Sequence, residues 1–122
     1  MKINSSNPLI STFSDHWGDG RFKDSKWDKS LKIKTITLDQ LINDHGHPCC
    51  IKIDVEGYEY NVIKGLTTKT GVISFEFTSE FFNHSINCLN YLENLGYSKF
   101  NYSEGERKTF RINWNNKNQI IE

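Results

Sequence analysis

The rhythm of apolar and polar positions changes several times along the chain, and each change predicts an element. Residues 1–30 show no period: Asp15, Gly18, Asp19, Gly20, Asp24 and Asp28 are interleaved with Trp17, Phe22 and Trp27. Frequent turn formers without a helical repeat predict a loop or small hairpin. Its aromatics predict that it packs on the rest of the chain. From residue 31, LKIKTITL alternates apolar and polar side chains at Leu31, Ile33 and Thr35 and stays β-branched through Thr37. That alternation predicts a strand over 31–38. Asp39 then reads as the N-cap of a short helix, QLINDH, which Gly46 and Pro48 end.

The segment CCIKIDV, residues 49–55, predicts a second strand with Ile51, Ile53 and Val55 on one face. Glu56-Gly57 makes the turn, and 58–66 form a helix with Tyr58, Val62 and Leu66 at helical spacing. Gly71 opens a third strand, 72–77, whose Ile73, Phe75 and Phe77 share a face. A helix over 84–95 follows, with Ile86, Leu89, Leu92 and Leu95 as its apolar stripe and Gly96 at its C-terminal cap. Two last strands, 97–102 and 107–114, flank a turn at Glu104-Gly105. This succession predicts an α/β fold with parallel crossovers and an antiparallel C-terminal hairpin, 31–114 forming the core behind a loop region at 1–30. In open sheets of this class ligands bind beyond the carboxyl ends of the strands. That places candidate chemistry at Asp54, Glu56, Gly57 and Glu76.

Composition narrows the picture. The 122 residues suit a single domain, and an aromatic content of 13% argues against disorder despite a modest hydrophobic fraction of 36%. Fifteen basic and fifteen acidic side chains cancel, so no broad field points to nucleic acid or to an anionic membrane as partner. Three cysteines, Cys49, Cys50 and Cys88, include an adjacent pair with poor geometry for a mutual disulfide or a zinc site. They read as reduced thiols in a cytosolic core. The opening MKINSSNPLI lacks the apolar run of a secretory leader, and no stretch approaches a membrane span, so the cytoplasm is the expected location.

The densest chemical signal is IKIDVEGYEYNVIKGL, residues 51–66. Asp54 stands near a strand end, with Glu56 and Glu59 in the turn and first helical turn behind it. A carboxylate there can accept from a sugar hydroxyl, an ammonium or an acidic proton; the alternative reading is that Glu56 and Glu59 only favour a helix N-terminus. Glu76 takes the corresponding place on the next strand. Neighbouring strands lie about 4.8 Å apart, so Asp54 and Glu76 can converge at the sheet edge, either as a working pair or as a solvated rim. Two close carboxylates raise one pKa or recruit a cation, and either helps deprotonate a hydroxyl. Lys52, in mid-strand, reads as snorkelling or as paired with a nearby carboxylate. His45 and His47 read as exposed loop residues without a third metal ligand, and His16 and His84 as isolated.

TLDQLI (37–42), IKIDVEGYEYNVIKGL (51–66), VISFEFTSE (72–80) and YLENLGYSKFNYSEGE (91–106) together resemble the later half of FkbM-type methyltransferases. The segment STFSDHWGDGRF with Trp27 resembles the loop that precedes the TLD element in one branch, so the likeness covers roughly 11–114. The resemblance implies the C-terminal half of a Rossmann-like methyltransferase sheet, one partial domain over 1–122. It also implies a reaction: methyl transfer from S-adenosyl-L-methionine to a hydroxyl of a sugar or natural product. Carried over to this sequence, Asp54, Glu56, Gly57 and Glu59 fall beside the cofactor crevice, and Asp54 and Glu76 are the catalytic candidates, Asp54 first as base.

The family's opening strand and glycine-rich loop have no counterpart here, since Gly18-Asp19-Gly20 follows no strand. The expectation is therefore a fragment of a longer enzyme, inactive alone and without a bound metal. Its strand 49–55 is expected to present an open edge to a second copy or to an N-terminal partner half. Two other readings stay open: a non-catalytic α/β protein-interaction module, and a carbohydrate-binding or transferase domain in which Asp54 and Glu76 hold a divalent cation.

Overall fold

The computed structural model describes residues 1–18, 22–105, 109–111 and 113–121. In chain order the elements are β1 (Lys2–Ile3), β2 (Lys29–Ser30), α1 (Leu38–His45), β3 (Cys50–Ile53), α2 (Glu59–Ile63), β4 (Val72–Phe75), α3 (Phe82–Asn94) and α4 (Lys117–Ile121). Single 3₁₀ turns occupy Pro8–Ile10 and Ser79–Phe81.

The centre is the β3-α2-β4 unit. β3 and β4 pair in parallel with Cys50 opposite Val72 and Ile53 opposite Phe75. Gly71 admits this pairing, because a Cβ there would lie 2.0 Å from the Cys49 carbonyl oxygen. The alternation of apolar residues turns Ile51, Ile53, Ile73 and Phe75 to one face, where they pack with Ile63 of α2 and with Cys88 and Leu92 of α3. The opposite face, Cys50, Lys52, Val72 and Ser74, is exposed. Parallel strands joined by a helix are thus present as expected.

The first expected strand is not. Residues 31–37 belong to no helix or sheet among the described residues; the local pairing occurs just before them, where β2 lies antiparallel to β1. Leu31, Ile33 and Ile36 are 54%, 47% and 55% exposed, so the alternation has no covered face to serve. α1 begins at Leu38, two residues earlier than expected. Its N-cap is Thr37, whose hydroxyl accepts from the Gln40 amide at 3.1 Å. Asp39 lies inside the helix and reaches across to Thr67, accepting from its amide at 3.0 Å and its hydroxyl at 2.7 Å.

α2 is shorter than the expected 58–66. After Ile63 the chain tightens, with Gly65 N–H donating to Val62 and Leu66 N–H to Ile63, and Leu66 is still fully buried. β4 ends at Phe75, leaving Phe77 47% exposed and not on the core face. α3 starts two residues before the expected helix, and its buried line is Ser85, Cys88 and Leu92. The predicted stripe is therefore rotated: small side chains at 85 and 88 let the helix approach the sheet, while Ile86, Leu89 and Leu95 are half-buried. Gly96 closes the helix at φ 97°, as expected.

At the C-terminus the expected hairpin shows one antiparallel bridge among the described residues, Phe100 to Asn115, reinforced by the Asn101 side chain on both backbone groups of Arg111. Residues 106–108 and 112 of the expected strand 107–114 lie outside the described residues. α4, which no sequence signal announced, docks on α3 through Lys117 Nζ, 2.6 Å from Asn90 Oδ1 and 2.7 Å from Glu93 Oε2.

The N-terminal loop does pack, as its aromatics predicted, burying Ile10, Thr12, Ser14 and Trp17; the sequence Gly18-Asp19-Gly20 lies partly outside the described residues. Of the three free thiols only Cys88 is in the core, and Cys49 and Cys50 are exposed, which corrects the expectation that all three are interior. No helix among the described residues is long and apolar enough to cross a membrane.

Candidate functional site

The parallel register decides the site. Because Ile53 pairs with Phe75, the next residues on both strands, Asp54 and Glu76, leave the sheet side by side at its carboxyl end. The turn after β3 brings a third acid to them: one carboxylate oxygen from each of Asp54, Glu56 and Glu76 lies within 4.8 Å of the others. Such spacing suits a shared cation or a shared ligand proton, although exposed acids gather without either. Asp54 is additionally paired with Lys52, Nζ to Oδ2 2.6 Å, so the mid-strand lysine is explained by a carboxylate partner.

The two glutamates of the E-G-Y-E string have different surroundings. Glu59 folds back over the turn, its Oε1 accepting from the Gly57 amide at 3.2 Å and the Val55 amide at 3.3 Å. Glu56 sits at φ 52°, in the left-handed region, and its carbonyl accepts from the Thr12 hydroxyl at 2.6 Å. Gly57 follows at φ 88°, and Trp17 lies where its Cβ would be: Cε3 of the indole is 2.5 Å from that position.

Between this turn and the start of α3 lies an open cleft of about 310 Å³, solvent at its mouth included. Glu76 and Glu59 give it acidic walls, Trp17, Phe77 and Phe81 aromatic ones, and Cys88 part of its lining. Trp17 stacks on Phe81 with ring centroids 5.2 Å apart, and His84 meets the Phe81 ring edge-on at 5.9 Å. Burial, with a further contribution from the Glu59 charge, pushes the Cys88 thiol up to about 12, so it is protonated and unreactive at neutral pH. Two buried polar atoms of residues lining the cleft, Trp17 Nε1 and Thr78 Oγ1, have no hydrogen-bond partner among the described residues.

Of the residues singled out in the sequence, Asp54, Glu56 and Glu76 are brought together; Glu59 and Gly57 adjoin them, engaged with the chain's own amides and with Trp17. Asp54 is at the rim and not in the cleft lining, whereas Glu76 lines it. His45 and His47 are exposed and belong to no such cluster among the described residues. Trp17, Thr78, Phe81 and His84 were not anticipated as site residues. The aromatic loop signalled packing, but nothing local to it said against what.

The chain matches the methyltransferase FkbM domain family over residues 2–99. It therefore belongs to the FkbM methyltransferase family. No curated protein and no solved structure gives a significant match. Enzymes of this family generally use S-adenosylmethionine as methyl donor. The glycine turn preceding α2 is closed, its Val55 and Gly57 amides taken by Glu59 and its open side covered by Trp17. The cleft, counted with its open mouth, is also at the bottom of the roughly 300–1,000 Å³ range of small-molecule sites.

Proposed function

We propose that this chain supplies the acceptor side of an S-adenosylmethionine-dependent O-methyltransferase acting on a hydroxyl of a sugar or natural product. The observation that carries the reading is the convergence of Asp54, Glu56 and Glu76 at the carboxyl ends of paired parallel strands in a member of this family. Methyl transfer asks for an acceptor held in line and relieved of its proton, with little covalent help from protein. Glu76 is the proton acceptor in this proposal, because it lines the cleft. Asp54, with one oxygen on Lys52, orients the hydroxyl from the rim.

The donor pocket, in the same proposal, is completed by an element that adds to the outer edge of β3, from a second copy or an N-terminal partner half. Among the described residues that edge has no strand beside it, and such an edge is a template for pairing. Calorimetry of S-adenosylmethionine against the chain alone should show no saturable binding, and tight stoichiometric binding would overturn the shared-pocket reading. In the assembled enzyme, Glu76→Gln should reduce methyl transfer by about 10²–10⁴-fold, the span of general acid-base contributions. Unchanged turnover would remove Glu76 as base.

A further inference from the structure

We infer that the N-terminal aromatic loop is a clamp that sets the acidic rim, with Trp17 and Thr12 as positioning residues for Glu56. The inference rests on the acceptor-side reading above and goes beyond it by assigning residues far from the acids in sequence.

Three independent contacts converge on the turn. The Trp17 indole fills the space over Gly57 that any other residue would occupy with its Cβ. Thr12 donates to the Glu56 carbonyl across 44 residues of sequence. Phe13 packs on Tyr58, ring centroids 5.5 Å apart, on the following residue. The conformation held this way is an unfavourable one: a non-glycine residue in the left-handed region persists only where its surroundings over-determine it. Released from the clamp, Glu56 relaxes to negative φ, its side chain leaves the vicinity of Asp54 and Glu76, and the rim loses a member. Trp17 is itself anchored by stacking on Phe81 at the start of α3, so the loop joins the turn to the opposite wall of the cleft.

Amide hydrogen exchange on the full chain tests this without donor or acceptor. The reporters are the Val55 and Gly57 amides, which Glu59 holds only while the turn keeps its shape; the Leu95 amide, bonded to Tyr91 in α3, is the reference. Trp17→Ala and Thr12→Val should each lower Val55 and Gly57 protection by about tenfold or more relative to Leu95, a local opening and not a global one. Trp17→Phe, which keeps a ring over Gly57, should restore it. Unchanged reporter protection in Trp17→Ala would overturn the inference. So would a loss spread equally to Leu95, or a failure of Trp17→Phe to restore it. Since no methyl transfer is measured, this result stands or falls separately from the Glu76→Gln experiment.

Discussion

Replacing Gly57 by alanine tests the turn with a single methyl group. Two costs are read from its geometry. At φ 88° an L-residue is in the left-handed half of conformational space, which costs about 1–2 kcal/mol. The added Cβ would also lie 2.5 Å from Trp17 Cε3, and the indole is 4% exposed with Phe22 and Phe81 against it, so it cannot swing clear freely. Overpacking of that kind costs about 1–3 kcal/mol. Alanine recovers about 0.4–1 kcal/mol by restricting the unfolded chain, leaving a net loss of about 2–4 kcal/mol. Against a total of about 5–15 kcal/mol this is a large fraction. At roughly 4 °C per kcal/mol for a chain of this length, the midpoint should fall by about 8–16 °C. Urea titration and scanning calorimetry measure both. The two costs separate in a double-mutant cycle: with Trp17→Ala as background the steric part disappears, and Gly57→Ala should cost only the backbone part less the same unfolded-chain gain, about 0–1.5 kcal/mol. A single-mutant loss below about 1 kcal/mol, or strict additivity in the cycle, would refute the reasoning.

Cys49 and Cys50 should react promptly with a thiol reagent in the native protein, whereas Cys88, at 1% exposure, should react only on unfolding; three fast thiols would contradict its burial. The same thiol makes stability fall at high pH. Its folded pKa of about 12 exceeds the unfolded value near 9, so the contribution is complete below pH 9 and is lost as pH rises toward 12. The alkaline decline in urea midpoint should be shallower in Cys88→Ala than in the parent, and parallel curves would refute the assignment. Asp39→Ala should cost about 1–2 kcal/mol in urea unfolding, because it strips the Thr67 amide and hydroxyl of their acceptor between α1 and the end of α2. A loss no greater than that of Asp44→Ala on the same helix would show that this link contributes nothing.

The part of the fold that was legible in sequence is the part whose signals are local. CIKI and VISF are short apolar runs bounded by glycine or turn residues, and the apolar spacing between them fits one helix, so β3-α2-β4 could be placed and Asp54 set beside Glu76 before any coordinates. The failures share a cause. Alternation in LKIKTITL states that one face could be covered, and only tertiary partners decide whether it is; Leu31, Ile33 and Ile36 have none among the strands described. Thr37 and Asp39 are both good N-cap residues, and the choice fell to Thr37 because Asp39 is drawn to Thr67, 28 residues away. The rotated face of α3 has the same origin, since a stripe of leucines attracts attention that the buried Ser85 and Cys88 do not. Trp17 over Gly57 lies beyond any periodicity argument, being a contact between a patternless loop and a turn 40 residues later.

The string K-I-D-V-E-G-Y-E divides its labour more finely than its acidity suggests. Lys52 stands in the middle of β3 on its exposed face and pairs there with Asp54. Glu59, which a charge-based reading groups with the ligand-facing acids, is committed to the Val55 and Gly57 amides and thereby takes up donors that the turn would otherwise leave unpaired. Gly57 is required twice over, for its backbone angle and for the indole that occupies its side-chain space. Glu56 meets two demands as well, its carbonyl accepting from the Thr12 hydroxyl and its side chain joining the acidic rim. It sits where glycine would be more comfortable, and its carboxylate joins Asp54 and Glu76. A glycine at 56 would relieve the φ 52° conformation and remove the third acid, so backbone comfort and the acidic cluster make opposite demands on this position.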